Sequence, residues 1–179
     1  AVPRVERRFD RPVHHPRYAV IPKIGMSAAP GLLYLGARGT VAEILRSGFD
    51  FDLIDAHYFY PDGVAAIMLG AAFRKPVIIT ARGTDINRIP DFPLPRRMIL
   101  WAAQRAAAVI TVCRALKDRL IELGGEADKT HVLRNGVDLN LFKPTRREEK
   151  RALLGLSGRR VIVSVGSLIP RKAHHLVIE

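Results

Sequence analysis

His57 is the titratable side chain best placed for chemistry. It directly follows the run 52–56, which predicts a short strand. An imidazole there can donate, accept or carry a proton near neutral pH, and ligands of open α/β sheets bind beyond the carboxyl ends of the strands. The alternative role is a structural histidine that hydrogen-bonds within the fold.

Arg82 and Asp85 flank a glycine in a second candidate loop. The loop follows the apolar run 76–80, the next predicted strand. Gly83 permits a positive φ or the close approach of a ligand to the backbone. Arg82 and Asp85 are then available to bind a polar substrate. A charged turn without a ligand is the alternative.

The segment 166–172 is a candidate anion site. It joins a predicted strand to a predicted helix and ends in the cations Arg171 and Lys172. The free N–H groups of a helix N-terminus and two cations together favour an anion such as a diphosphate. A solvated basic turn is the alternative.

Several common catalytic patterns are missing from the chain. There is no GxGxxG, P-loop, GxSxG or HExxH pattern, which weakens dehydrogenase, P-loop ATPase, α/β-hydrolase and zincin interpretations. Asp50 and Asp52 have a metal-ligand spacing, but they lead into a strand, where a solvated edge is expected. The pairs His14–His15 and His174–His175 do not direct consecutive side chains at one ligand. We therefore expect no metal site.

Strands and helices alternate regularly in the middle of the chain. Short β-branched runs predict buried strands, and the segments between them predict helices. This order predicts an α/β fold, a Rossmann-like parallel sheet flanked by helices. The predicted strands cover 52–56, 76–80, 108–112 and 130–133, and the predicted helices cover 62–73, 95–107 and 114–123.

The two ends of the chain follow different patterns. Residues 1–30 are rich in Arg and Pro and predict loop or extended chain, apart from a short strand at 18–21. After residue 143 the sequence predicts a charged helix at 145–154 and a strand at 160–165. We expect one domain over 1–143 that lacks its first strand. Residues 144–179 would be a linker and the first βα unit of an incomplete second domain.

The charge of the chain is strongly positive. Its 179 residues include 29 Lys and Arg against 17 Asp and Glu, a net charge of +12. Such an excess favours nucleic acid, phosphorylated small molecules or an anionic lipid surface, although codon bias towards Arg explains it equally well. No apolar run approaches the ~20 residues of a membrane span. The lone Cys113 excludes an intrachain disulfide framework and fits a cytoplasmic setting.

Five segments, taken in order, resemble the family 4 (group 1) glycosyltransferases of the GT-B fold. They are 52–57 with 60–63, 76–85, 108–117, 133–138 with 142–144, and 165–172. The resemblance implies two facing Rossmann-like domains, the first holding the acceptor and the second a nucleotide-diphosphate sugar. It further implies transfer with retention of anomeric configuration, without a metal or another cofactor.

The resemblance also implies roles for individual residues. His57 beside the transferred sugar and Lys172 against the donor diphosphate would be the catalytic residues. The donor would be bound by Gly166, Ser167, Arg171 and Lys172. The acceptor would be bound by Asp62, Gly63, Arg82, Gly83, Thr84 and Asp85. An interdomain hinge would include Asn135, Gly136 and Asp138.

The chain departs from the family pattern at two points. The family often has Arg where this chain has Ser167, so that Arg171 would take over one diphosphate contact. The Glu-x7-Glu pair, which grips nucleotide and sugar, does not occur before the end of the sequence. We therefore expect that the chain alone does not turn over.

Three functional classes remain open at this point. The resemblance favours a retaining glycosyltransferase, or a fragment of one, that acts on a glycan or lipid. A Rossmann-like sugar- or nucleotide-binding domain without catalysis is the first alternative. A basic nucleic-acid-binding module is the second, although the arginines are scattered and no RNA-binding aromatic signature occurs.

Contact with a membrane surface is a further expectation. The predicted helix mixes cations with Trp101 between residues 95 and 105, as interfacial helices do. The protein would then lie in the cytoplasm, with peripheral contact at the inner membrane face. A core helix with a basic outer face is the alternative.

Overall fold

The computed structural model describes residues 2–22 and 25–178, without the side chain of Arg171. It divides into two compact units, residues 1–135 and 136–179. The division follows Asn135, whereas the sequence predicted a domain boundary after residue 143. None of the helices in the described part of the chain has the length and hydrophobicity needed to cross a bilayer.

The first unit begins with an antiparallel hairpin of β1 (Val5–Arg8) and β2 (Arg11–His14). Its two-residue turn has positive φ at both positions, the geometry that matches the twist of paired strands. The sequence predicted a strand at 18–21 instead, which was wrong. Prolines flank that segment, and proline cannot donate to a ladder. Helix α1 (Ala29–Arg46), which the sequence did not predict, follows.

A four-stranded parallel sheet lies at the centre of the first unit and confirms the predicted fold class. The strand order is β3–β4–β5–β6. The strands are β3 (Ile54–His57), β4 (Val77–Ala81), β5 (Ala108–Thr111) and β6 (Thr130–Val132). The intervening helices are α2 (Val64–Phe73), α3 (Thr84–Asn87), α4 (Pro93–Arg105) and α5 (Arg114–Glu122).

The core of the first unit joins the sheet to its helices. Ile79 on β4, Ile99 on α4 and Leu120 on α5 are fully buried. Gly70 lets α2 approach the chain before β4, because a Cβ at this position would lie 2.7 Å from the Lys75 carbonyl oxygen. The packed sheet and helices are the rigid support for the loops that leave the strands.

Among its described residues the second unit contains no strand, one 3-10 helix at Pro170–Lys172 and two short α-helices. They are α6 (Arg147–Leu153) and α7 (His175–Ile178). The predicted strand at 160–165 was wrong. Its apolar side chains are largely solvent-exposed, with Val163 at 77% and Val165 at 90%. A β-branched run forms a strand only where another strand pairs with its backbone N–H and C=O groups.

Candidate functional site

The carboxyl ends of three strands bring His57, Arg82 and Asn135 into one hydrogen-bonded cluster. His57 is the last residue of β3, Arg82 directly follows β4, and Asn135 lies shortly after β6. The Arg82 guanidinium donates to Nδ1 of His57 at 2.7 Å and to Oδ1 of Asn135 at 2.9 Å. Since β5 lies between β4 and β6, Arg82 reaches across the end of a strand to make the second contact.

Asp55 also contacts His57, although the sequence analysis did not identify Asp55 as a site residue. Its Oδ2 lies 3.3 Å from Nε2 of His57, and each of the two side chains is 51% exposed. Alternating residues of a strand point to the same face, so the spacing of two positions was the signal available in the sequence.

Asp85 is fully buried and serves the loop backbone. Its carboxylate accepts hydrogen bonds from the N–H groups of Phe59 at 2.7 Å, Arg82 at 3.1 Å and Gly83 at 2.7 Å. The carboxylate thus joins the loop after β3 to the loop after β4. In this structure the buried carboxylate positions the two loops, and its contact with an acceptor stays a prediction.

Gly83 directly precedes α3, and Thr84 is the first residue of that helix. Gly83 has φ 142°, a backbone conformation that other residues rarely adopt. A Cβ added there would meet nothing within 4 Å, so the backbone conformation requires glycine and leaves open space beside it. Thr84 and Arg82 are exposed. These two side chains are therefore accessible to an acceptor.

The loop after β3 is held by packing on both sides. The Tyr60 hydroxyl donates to the Met26 carbonyl oxygen at 2.5 Å, and burial raises the pKa of the Tyr60 phenol. Gly63 is buried, and a Cβ there would lie 2.8 Å from Cγ2 of Ile79. Gly63 therefore provides close packing against β4, and its contact with an acceptor stays a prediction. Tyr58, next to His57, has φ 84°, a strained conformation for a residue with a side chain.

Asp62 is exposed on this loop, whereas the adjacent Gly63 is buried. Desolvation by the surrounding protein raises the pKa of its carboxyl group, and the nearby charge of Asp85 raises it further. A hydrogen bond from its own backbone N–H acts in the opposite direction. Asp62 thus remains accessible to an acceptor.

The predicted hinge residues lie on both sides of the division between the units. Asn135 ends the first unit, and Gly136 begins the second. Asp138 in the second unit accepts hydrogen bonds from the backbone N–H groups of Asn140 at 2.9 Å and Leu141 at 3.2 Å. Asp138 therefore stabilises a local turn.

The predicted donor loop belongs to the second unit. Ser167 and Lys172 are exposed. A Cβ at Gly166 would lie 3.5 Å from Lys172 and 3.3 Å from Nε2 of His174, so these three residues are neighbours. The Oγ of Ser164 lies 2.7 Å from Nδ1 of His174. The sequence analysis considered His174 only as part of the pair His174–His175, which it rejected as a metal site. The predicted role of Arg171 concerns a side chain outside the described part of the chain.

Neither unit shows a metal-binding constellation in its described residues. Within 2–22 and 25–178, no group of three or more His, Cys, Asp or Glu side chains is arranged to hold a metal ion.

Sequence comparison finds glycosyltransferases as relatives. One is TuaC of Bacillus subtilis (strain 168), named for teichuronic acid biosynthesis, which is 29% identical over 174 residues, 95% of this chain and 44% of TuaC. Another is D-inositol 3-phosphate glycosyltransferase 1 of Catenulispora acidiphila, 30% identical over 124 residues, 64% of this chain and 29% of the relative. The chain therefore spans less than half the length of these relatives.

Structural comparison finds solved structures with a similar fold. The crystal structure of Anabaena HepE in complex with UDP aligns with a TM-score of 0.66 and 27% identity, over 80% of this chain and 40% of HepE. The fold is that of the GT-B glycosyltransferases. The model of Glycosyltransferase Family 4 matches residues 1–141. The chain belongs to Glycosyltransferase Family 4.

Proposed function

We propose that this chain forms the acceptor side of a retaining glycosyltransferase that uses a nucleotide-diphosphate sugar. The cluster of His57, Arg82 and Asn135 carries this proposal, because it lies beyond the carboxyl ends of parallel strands, where open α/β sheets bind ligands. Family membership supports it. So do the crystal structures of HepE with UDP, with UDP-glucose, and with UDP and glucose.

The proposed reaction breaks the bond between the anomeric carbon and the diphosphate. Negative charge then develops on the leaving group, and the sugar gains positive character. Arg171 and Lys172 would stabilise the leaving diphosphate, and fixed charges of this kind often contribute more to catalysis than any other effect. His57 would hydrogen-bond the transferred sugar. In this mechanism the two cations stabilise the diphosphate, so we propose that no metal is required.

The proposed acceptor surface consists of the exposed side chains on the two loops. Arg82, Thr84 and Asp62 are accessible there, and Asp85 holds the loops from within the core. These are hydrogen-bonding groups, which suit the hydroxyl groups of a glycan or a glycosylated lipid. Family membership favours this function over a basic nucleic-acid-binding module.

We propose that the 179-residue chain alone does not turn over. The loop that contains Gly166 should be held by the run 160–165, but this run forms no ladder and Val165 is 90% exposed. Cations on a loop without a paired strand are poorly fixed against a developing charge. The chain would then bind a sugar ligand without efficient transfer.

A nuclear magnetic resonance (NMR) titration of the 15N-labelled chain tests the proposed function. UDP-glucose, UDP and glucose are added separately, with adenosine monophosphate (AMP) as the control ligand. We expect saturable chemical-shift changes at His57, Arg82 and Thr84 with UDP-glucose and glucose, the two ligands that contain a glucosyl group or glucose. Shifts confined to the groove of about 620 Å³ between β2 and the end of α1 would contradict the assignment of the site.

Membrane contact is a second proposal, through the start of α4, where Phe92 directly precedes the helix and Leu94 lies in its first turn. Phe92 and Leu94 are 51% and 46% exposed beside the exposed cations Arg96 and Arg97. Exposed apolar side chains beside cations suit an anionic lipid surface. Trp101, the expected contact, packs against the core instead. We propose peripheral contact at the cytoplasmic face of the inner membrane, and the exposed free thiol of Cys113 fits that reducing compartment.

A further inference from the structure

The contacts of His57 define which of its ring nitrogens carries the proton. A guanidinium has only hydrogen-bond donors, so Nδ1 of His57 must accept at its 2.7 Å contact with Nη2 of Arg82. An accepting ring nitrogen carries no proton, which places the proton of a neutral imidazole on Nε2. On the other side of the ring, Nε2 faces the Oδ2 of Asp55, an acceptor, at 3.3 Å. The two contacts agree on one tautomer.

Arg82 is itself held at both ends. Its backbone N–H donates to the buried carboxylate of Asp85 at 3.1 Å. Its Nη1 donates to Oδ1 of Asn135 at 2.9 Å. A long side chain on the surface samples many rotamers, and a second anchor on the guanidinium reduces that freedom. Asn135 therefore keeps Arg82 directed at His57.

We infer that Arg82 and Asn135 are positioning residues that hold His57 in the Nε2–H tautomer, so that His57 serves as a hydrogen-bond donor through Nε2. Because Arg82 occupies the lone pair of Nδ1, this nitrogen cannot act as a general base. The Nε2 contact with Asp55 is long and half-exposed, so a substrate oxygen can replace Asp55 there. The ligand group at His57 is thus an oxygen that accepts a hydrogen bond. Its identity as a sugar hydroxyl rests on the proposed function.

The tautomer is measured directly by long-range 1H–15N NMR of the imidazole rings in the full 179-residue chain. His57→Gln identifies the resonances of His57, and the other five histidines are internal references. We expect Nε2 to have the 15N shift of a protonated ring nitrogen and Nδ1 that of an unprotonated one. A proton on Nδ1 would overturn the inference.

The lock is the hydrogen bond from the Arg82 guanidinium to Nδ1 of His57. Acylation with diethyl pyrocarbonate tests it, because this reagent reacts at the lone pair of an imidazole nitrogen. The His57 side chain is half-exposed and His131 is exposed. Exposure alone therefore predicts that the two histidines are acylated at similar rates. The capped Nδ1 predicts slower modification. Arg82→Ala should raise the rate at His57 by roughly tenfold, the effect of losing a charge-assisted hydrogen bond. Mass spectrometry of each histidine-containing peptide gives the rates.

Two further variants keep this test decisive. Arg82→Ala retains the backbone N–H that Asp85 accepts, and an unchanged rate at His131 shows that the fold persists. Asn135→Ala, which leaves Arg82 in place, should raise the His57 rate in the same direction by a smaller factor. Arg88→Ala removes an exposed arginine from the same region and should have no effect. Equal His57 rates in the chain without substitutions and in Arg82→Ala would overturn the lock.

The lock and the proposed function can fail separately. Neither tautomer nor acylation rate depends on a bound ligand. If the lock is confirmed but UDP-glucose causes no NMR chemical-shift changes in the site loops, only the proposed function is refuted. Sugar binding at His57 with unchanged acylation rates across the variants would refute only the lock.

Discussion

The carboxylate of Asp85 and the backbone N–H of Phe59 are hydrogen-bonded at 2.7 Å, although 26 residues separate them in sequence. The same carboxylate accepts from Arg82 and Gly83, so one buried side chain holds the loops after β3 and β4 together. The positions of His57 and Arg82 depend on this contact, because each lies at the base of one of these loops.

Replacing Asp85 with Asn should destabilise the first unit by about 1–3 kcal/mol, because an amide offers one acceptor oxygen and leaves buried N–H groups unpaired. Urea denaturation measures the change. Asp91→Asn is the matched control, since Asp91 is exposed and forms a long ion pair, 4.0 Å, with Arg88. Equal stabilities for the two variants would show that Asp85 does not hold the loops.

Asp62→Asn should make the chain more stable at neutral pH. The pKa of Asp62 is raised above its usual value of 3.8, first by desolvation, so the folded state binds the proton more tightly than the unfolded state. Stability from this group is therefore present below pH 3.8 and is lost as pH rises through the raised pKa. At pH 3 the chain and the Asp62→Asn variant should have the same melting temperature. At pH 7 the variant should have the higher melting temperature. A less stable variant at pH 7 would refute the stated cause.

Gly63→Ala should destabilise the protein by about 1–3 kcal/mol, because the new methyl group overlaps the Ile79 side chain in a packed core. Gly39→Ala is the control in α1. A Cβ there meets nothing within 4 Å, so it should stabilise the helix by roughly 0.5–1 kcal/mol. Thermal denaturation of both variants measures these opposite signs. A stabilising Gly63→Ala would mean that the loop is not packed against β4.

Phe92→Ser combined with Leu94→Ser should reduce binding to vesicles that contain anionic lipid, because the substitutions remove the exposed apolar side chains at the start of α4. Sedimentation with phosphatidylglycerol vesicles measures the bound fraction. Leu35→Ser is a matched control, since Leu35 is 66% exposed on α1. Equal loss of binding in both variants, or no binding by the chain itself, would exclude the start of α4 as the lipid contact.

The parallel sheet could be predicted because buried parallel strands leave a strong pattern of β-branched runs separated by helices. Helix α1 has Gly31, Gly36 and Gly39 within it, which obscure a helical pattern. The run 160–165 has the same β-branched character as β4, yet it forms no strand because pairing depends on a neighbour that local sequence does not specify.

The candidate site was predictable in its location and less so in its contacts. The carboxyl ends of predicted strands identified His57 and Arg82, and the structure brings both to one cluster with Asn135. The burial of Asp85 could not be predicted, because a loop sequence does not show whether a carboxylate faces solvent or backbone. Asp55 could have been found from the two-residue period of a strand.

The most direct test of substrate binding at the carboxyl ends of β3 and β4 is the affinity of the chain for a nucleotide-diphosphate sugar before and after His57→Ala. Calorimetric titration with a panel of such sugars identifies the ligand, and Arg88→Ala is the control. We expect His57→Ala to weaken binding by roughly tenfold, as loss of a hydrogen bond does, and Arg88→Ala to leave it unchanged. Equal affinity of His57→Ala and the chain without substitutions would contradict a substrate site at His57.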